Sequence, residues 1–168
     1  MNRNATNSNI PGLIADLGDE SAPVRETAHR RLVSLGAVAV PSLVEALAHL
    51  GEYGRAQAAE VLGEIGDPAA LPALVQAMQD EKFDVRWLAA KAIVPFGRVG
   101  LTALLHALRK HPESLFLRQG AHHVLRNEGQ PRWQEPLAPV KRALESPDPE
   151  DALPGAVAKA LADVSATK

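Results

Sequence analysis

Arg55-Ala56-Gln57-Ala58-Ala59-Glu60-Val61-Leu62-Gly63-Glu64-Ile65-Gly66 is the stretch that decides the fold. Counted from Arg55, apolar residues stand at offsets three, seven and ten (Ala58, Leu62, Ile65). At 100° per residue these fall in one narrow sector, the buried stripe of a helix. The helix stops at Gly66, where a left-handed residue is wanted and no Cβ stands in the way. The same arrangement recurs along the chain. Arg25, Arg55, Arg86 and Arg118 each precede a glycine by eleven residues: Gly36, Gly66, Gly97 and Gly129. Offset three is Ala28, Ala58, Ala89 and Ala121, and offset seven is Leu32, Leu62, Ile93 and Leu125. Offset ten is Leu35, Ile65, Phe96 and Glu128, the last of which predicts a loosened helix end.

Upstream of each such helix lies a shorter one. It is carried by Leu13, Leu43, Leu74 and Leu104, each followed four residues later by Leu17, Leu47, Met78 or Leu108. Pro11, Pro41 and Pro72 open three of them, at a turn where the missing N–H had no helical partner. A fifth, weaker unit has Val140 and Leu144 in its first helix and Val157, Leu161 and Val164 in its second. The prediction is all-α: a right-handed, armadillo-like α-solenoid of about five helix pairs, because a lone pair cannot cover its own stripe. The units run 9–36, 38–66, 68–97, 98–129 and 131–165, forming one domain after a disordered N-terminus over 1–8. Pro131, Pro136 and Pro139 mark 130–139 as an insertion that changes the angle of the last pair.

Composition agrees. Of 168 residues, 29 are Ala and 22 Leu, both strong helix formers, and only 4% are aromatic. The net charge of -2 argues against a polyanion binder that works by bulk charge. The absence of Cys excludes disulfides, thiolate metal sites and a Cys nucleophile. No signal-peptide pattern and no run of about 18 uninterrupted apolar residues is present. The expectation is a cytoplasmic protein with no membrane contact.

The columns resemble HEAT repeats of the short bacterial type known as PBS-lyase HEAT-like repeats. The resemblance rests on Asp19…Val24-Arg25, on Asp80…Val85-Arg86 and on the junction Gly63-Glu64-Ile65-Gly66-Asp67-Pro68. It covers about 155 residues. His49 and Pro112 stand where units two and four would have the Asp. The resemblance implies a solenoid whose second helices line a concave face. It also implies a phycobilin-lyase-like or chaperone-like alternative, in which a bilin is attached or removed at a Cys of a phycobiliprotein.

Chemistry-bearing motifs are sparse. There is no nucleophile elbow and no Gly-rich phosphate loop. No two histidines are four residues apart, and His122 and His123, being adjacent, diverge by about 100° on a helix. No metal, no cofactor and no catalytic residue is therefore expected, and the chain reads as non-enzymatic. Asp19, Arg25, Arg55, Asp80, Arg86 and Arg118 read as a structural ladder, each Arg bonding the Asp and loop carbonyls at the turn of its pair.

The outward offsets of the second helices predict a binding patch on the concave face: Trp87, Lys91, Gln119, His123 and Arg126. Trp87 either covers a neighbouring repeat or anchors a partner, and Lys91 lies one turn away for a cation–π contact. Residues 82–132 hold nine Lys/Arg against three Asp/Glu. The main expectation is a protein-binding scaffold or adaptor whose partner is an acidic protein segment, with Glu60 and Glu64 repelling that partner at one end. Nucleic-acid binding through 82–132 is the third reading; the lack of a basic track through all units argues against it. Oligomeric state is not legible.

Overall fold

The computed structural model describes residues 9–127 and 129–166. The expected N-terminal disorder over 1–8 and the loosened helix end at Glu128 lie outside the described residues. Ten α-helices occur among them, in five consecutive pairs. The first pair is α1 (Ile10–Asp16) with α2 (Ala22–Leu35), the second α3 (Val40–His49) with α4 (Glu52–Ile65). The third is α5 (Leu71–Ala77) with α6 (Phe83–Ile93), the fourth α7 (Gly97–Lys110) with α8 (Leu115–Asn127). The last is α9 (Pro131–Leu144) with α10 (Pro149–Ala166). The molecule is an α-solenoid, and no strand occurs among the described residues.

The periodic columns form the core. Ala28, Ala58, Ala89 and Ala121 are buried, as are Leu32, Leu62, Ile93 and Leu125. The first-helix leucines Leu43, Leu74 and Leu104 are fully covered. Alanine at the second-helix contact lets backbones approach closely. Between α4 and α6 the approach is closer still: a Cβ on Gly63 would lie 2.7 Å from the Ala92 Cβ.

Three glycines turn the chain from one pair to the next. Gly66 is left-handed (φ 70°, ψ 18°), and its N–H closes on the Leu62 carbonyl at 3.1 Å. Gly36 and Gly97 have φ of 60° and 53° with ψ near the extended range, a region that side-chain-bearing residues avoid. A short 3₁₀ step accompanies each glycine (Gly36–Ala39, Pro68–Ala70, Val94–Phe96) as the chain crosses back to the layer of first helices. At Pro68–Ala70 the Asp67 carboxylate caps the step by accepting from the Ala69 N–H at 2.9 Å.

Through the first four pairs, first helix packs on first helix and second on second. The fifth pair departs from the expected order. There α9 lies against α8 in the layer of second helices, and α10 lies against α7 in the layer of first helices. The reason is local: among the described residues of the connection after α8 no 3₁₀ step occurs, Gln130 is extended, and Pro131 restarts a helix at once. The segment 130–139, read as an insertion, is therefore mostly helix α9. Pro136 and Pro139 sit inside it because Trp133, Leu137 and Val140 make a buried stripe that holds the helix together.

The continuous stretches Ala22–His49 and Phe83–Lys110 are each long and apolar enough to cross a bilayer by length and composition, although neither is an uninterrupted apolar run. Each is bent at a positive-φ glycine into the second helix of one pair and the first helix of the next.

Candidate functional site

The arginine column links each unit to the next. Arg25 Nη1 donates to the carbonyls of Asp19 and Glu20, both at 2.8 Å, and its guanidinium lies 4.6 Å from the Tyr53 ring centre in the second unit. Arg86 repeats this: Nη1 donates to Asp80 O at 2.8 Å and Glu81 O at 3.0 Å, with the guanidinium 4.0 Å over Phe116 of the fourth unit. Arg118 Nη1 donates to Pro112 O and reaches Glu150 of α10 at 3.3 Å.

Arg55 differs. Its Nη1 donates to Leu50 O at 2.9 Å, but Nε and Nη2 form a fork on the Asp80 carboxylate, both at 2.8 Å. Burial alone would raise the Asp80 carboxyl. The Arg55 bonds, the Lys82 N–H and the nearby Arg86 charge outweigh it and hold Asp80 below the usual carboxylate range. The bond to Asp80 in turn raises Arg55, against the opposing pull of burial. Asp19 and Asp80 thus stand differently. The Asp19 carboxylate accepts from the Ser21 N–H at 2.7 Å, and Arg25 bonds the backbone beside it rather than the side chain.

Trp87, 44% exposed on α6, stands between two pockets in the layer of second helices. Toward α8, a pocket of about 220 Å³ is lined by Phe83, Arg86, Trp87, Phe116, Gln119 and His123. The Trp87 and His123 rings are 3.9 Å apart between centres, and the Phe83 ring stacks on Trp87 at 6.1 Å in the same pocket. Burial lowers the His123 imidazole below its ordinary value, and neighbouring His122 adds to the effect, so the ring is neutral at pH 7. Toward α4, a larger pocket of about 460 Å³ has Tyr53 and Trp87 as walls, with Glu52 and Asp84 among its lining.

Of the five residues placed in one patch from sequence, Trp87, Gln119 and His123 share a pocket. Lys91 points elsewhere: its Nζ is 3.5 Å from Glu60, in a groove with Gly63 and Glu64. The cation on Trp87's pocket is Arg86 instead. Arg126 is exposed and lines none of these pockets. Glu60 and Glu64, expected to repel an acidic partner, have partners of their own in Lys91 and in His29, whose Nε2 is 3.0 Å away.

Tyr53, Phe83 and Phe116 were missed. All three are exposed, and with Trp87 they are four of the chain's six aromatics. Their signal was an offset of minus two or minus three from the repeated Arg. Among the described residues no three His, Asp or Glu side chains are grouped to hold a metal ion. The basic stretch is largely engaged within the protein: Lys82 with Glu52 and Glu81, Lys91 with Glu60, Arg86 and Arg118 with carbonyls, and Arg132 over Trp133.

Comparison with known proteins adds three findings. Over 85 residues the chain is 40% identical to phycocyanobilin lyase subunit beta of Thermosynechococcus vestitus (strain NIES-2133 / IAM M-273 / BP-1), a match covering 50% of this chain. The matched stretch spans only 40% of that subunit's length. A chain from the structure of the complex of CpcE and CpcF of phycocyanin lyase from Nostoc sp. PCC7120 superposes with a TM-score of 0.63 at 29% identity. That superposition covers 91% of this chain and 98% of the other. Both relatives belong to lyases by name, which overturns the expectation of a non-enzymatic chain drawn from the lack of a catalytic motif. The third finding is that the family of HEAT repeats matches residues 40–126, more than half of the sequence and all of α3 to α7, so the chain belongs to the HEAT-repeat family.

Proposed function

We propose that the chain is a subunit of a bilin-lyase-type assembly, working with another protein in a cytoplasmic setting and offering the α6–α8 pocket to one end of a flat, anionic tetrapyrrole. The observation that carries this reading is the likeness to a phycocyanin lyase chain over nearly the whole of both chains. The pocket's chemistry supports it. Phe83, Trp87 and Phe116 offer π faces to a conjugated ring, Arg86 offers a guanidinium to a propionate, and Gln119 can bond a lactam edge.

Bilin attachment joins an acceptor sulfur to carbon by adding S–H across a double bond of the bilin, and no oxidant is needed. This chain has no Cys, so the thiol comes from the acceptor protein. His123, neutral and on the pocket wall, has the state required to take up the thiol proton and return it to the ring carbon. The acidic protein segment expected from sequence is a second occupant suited to this same side, where Arg86 lies, and not to the Glu52 side.

The test is to add free phycocyanobilin to the purified chain and follow its visible absorption and circular dichroism. The expected result is a shifted, dichroic bilin band that weakens about tenfold or more in affinity for Trp87→Ala, as for a hot-spot aromatic. A bilin spectrum identical with and without the protein would overturn the proposal.

A further inference from the structure

The inter-unit gaps between second helices follow a rule with one exception. Between α2 and α4, Arg25 stacks on Tyr53, and between α6 and α8, Arg86 stacks on Phe116. Both rings stand two residues before the arginine of their own helix. Between α4 and α6 that position is Asp84, and the ring moves one place back to Phe83. The arginine that would serve this gap, Arg55, is held by Asp80. The gap therefore keeps its aromatic walls, Tyr53 and Trp87, but receives no guanidinium from the chain. It holds the pocket of about 460 Å³ instead.

The charge of that pocket is acidic. Asp84 and Glu52 line it, with Gln57 beside them and Ala56 and Leu88 as an apolar floor. Among the described residues no cation pairs with Asp84, and Glu52 has only a long contact of 3.8 Å to the half-exposed Lys82. Aromatic faces flanked by carboxylates attract a flat, weakly hydrated cation, which can stack and donate in its plane at once. The two arginines stacked on rings at the neighbouring gaps show which cation this face accommodates.

We propose that the pocket between α4 and α6 receives the guanidinium of an arginine on a partner protein, Tyr53 and Trp87 stacking on it and Glu52 and Asp84 pairing with it. The bilin reading is not needed for this. Carboxylates disfavour an anionic tetrapyrrole on this side of Trp87, so the two ligands divide along α6 according to charge.

The experiment uses the full chain and the blocked peptide acetyl-Gly-Arg-Gly-amide at low salt. Backbone amide shifts around Tyr53, Asp84 and Trp87 are followed by NMR. Saturable shifts are expected, weakened severalfold by the added salt that screens exposed charges. The combined substitution Glu52→Gln with Asp84→Asn should weaken binding about tenfold while leaving the circular dichroism of the chain unchanged. The glutamate peptide should give no shift, and the lysine peptide a weaker one. Equal response to the glutamate peptide, or wild-type arginine affinity in the double variant, would overturn the proposal; equal lysine and arginine affinity would overturn its guanidinium form. The double variant should keep the bilin-induced band. Loss of arginine binding with the band intact, or the reverse, separates this proposal from the previous one.

Discussion

The two gaps beside α6 are built on the same columns and differ in what fills them. On the α8 side a guanidinium of the chain lies on a ring, and the pocket beside it is small and cation-walled. On the α4 side the equivalent guanidinium is diverted to a carboxylate, and the pocket is larger and acid-walled. The alanine and leucine columns set the distance between second helices and are constant from unit to unit. The residues at the first turn of each second helix set the chemistry and are free to vary. A repeat protein changes a binding site by moving an aromatic one place along a helix, with no change to its core.

The contrast predicts that the α4–α6 gap depends most on Asp80. Its side chain and that of Arg55 are 13% and 15% exposed, so Asp80→Ala leaves a largely buried guanidinium without its partner. The expected cost is about 3 kcal/mol, measured by urea denaturation. A cost below about 1 kcal/mol would mean that water already reaches the pair. The carboxyl is held low in the folded state, so its contribution to stability is complete above the ordinary carboxylate pKa of about 3.9 and is lost as pH falls through the lower folded value. Acid titration of the Asp80→Asn variant should lack that loss.

Gly63→Ala comes next. The new methyl would meet Ala92 Cβ at 2.7 Å and Ala92 Cα at 2.8 Å, atoms that can yield only if α4 and α6 separate. Overpacking of this kind costs roughly 1–3 kcal/mol, partly offset by about 0.8–1 kcal/mol of better helix propensity. A net loss of about 1–2 kcal/mol in a thermal melt is expected, and a neutral result would show that the helices slide freely. Smaller still is Phe116→Leu, which removes the ring under Arg86 and keeps an apolar cover. It should cost about 0.5–1 kcal/mol, the worth of an exposed cation–π contact.

What the sequence made legible follows from the same division. The columns at offsets three and seven were readable because burial demands the same residue class in every unit, and periodicity amplifies a repeated demand. The rings were not, because Tyr53, Phe83 and Phe116 straddle two offsets and no core requirement holds them in register. Lys91 was misdirected because a long side chain picks its partner across the gap, where Glu60 of α4 stands, rather than along its own helix. In the fifth pair the apolar stripes were readable, but the layer each helix joins was not. That choice is made by the connection after α8, where Gly129 repeats the glycine column and so gives no sign of the change. A link to lyases left no motif, since the chain has no Cys and the pocket proposed for the bilin is assembled across two helices, α6 and α8.

Gly120→Ala should have the smallest effect on stability, and it tests the comparison most directly. Gly120 on α8 and Gly63 on α4 both face α6, though at different positions of the repeat, Gly63 meeting Ala92 and Gly120 meeting Met78 and Ala90. A Cβ at Gly120 would collide with Met78 Cε, the free end of a flexible side chain, while the next neighbour, Ala90 Cβ, is 3.7 Å away. Met78 can swing its terminal methyl within the core, because an unbranched thioether adapts to small changes of shape. The gain in helix propensity, about 0.8–1 kcal/mol, then roughly cancels the repacking, and the net change should stay within about 0.5 kcal/mol. The methyl does narrow the α6–α8 pocket, which Gly120 lines, so bilin affinity should drop severalfold while the melting temperature holds. A destabilisation as large as that of Gly63→Ala would show that Met78 is as fixed as the Ala92 backbone, and that the two gaps differ in charge but not in how readily they yield.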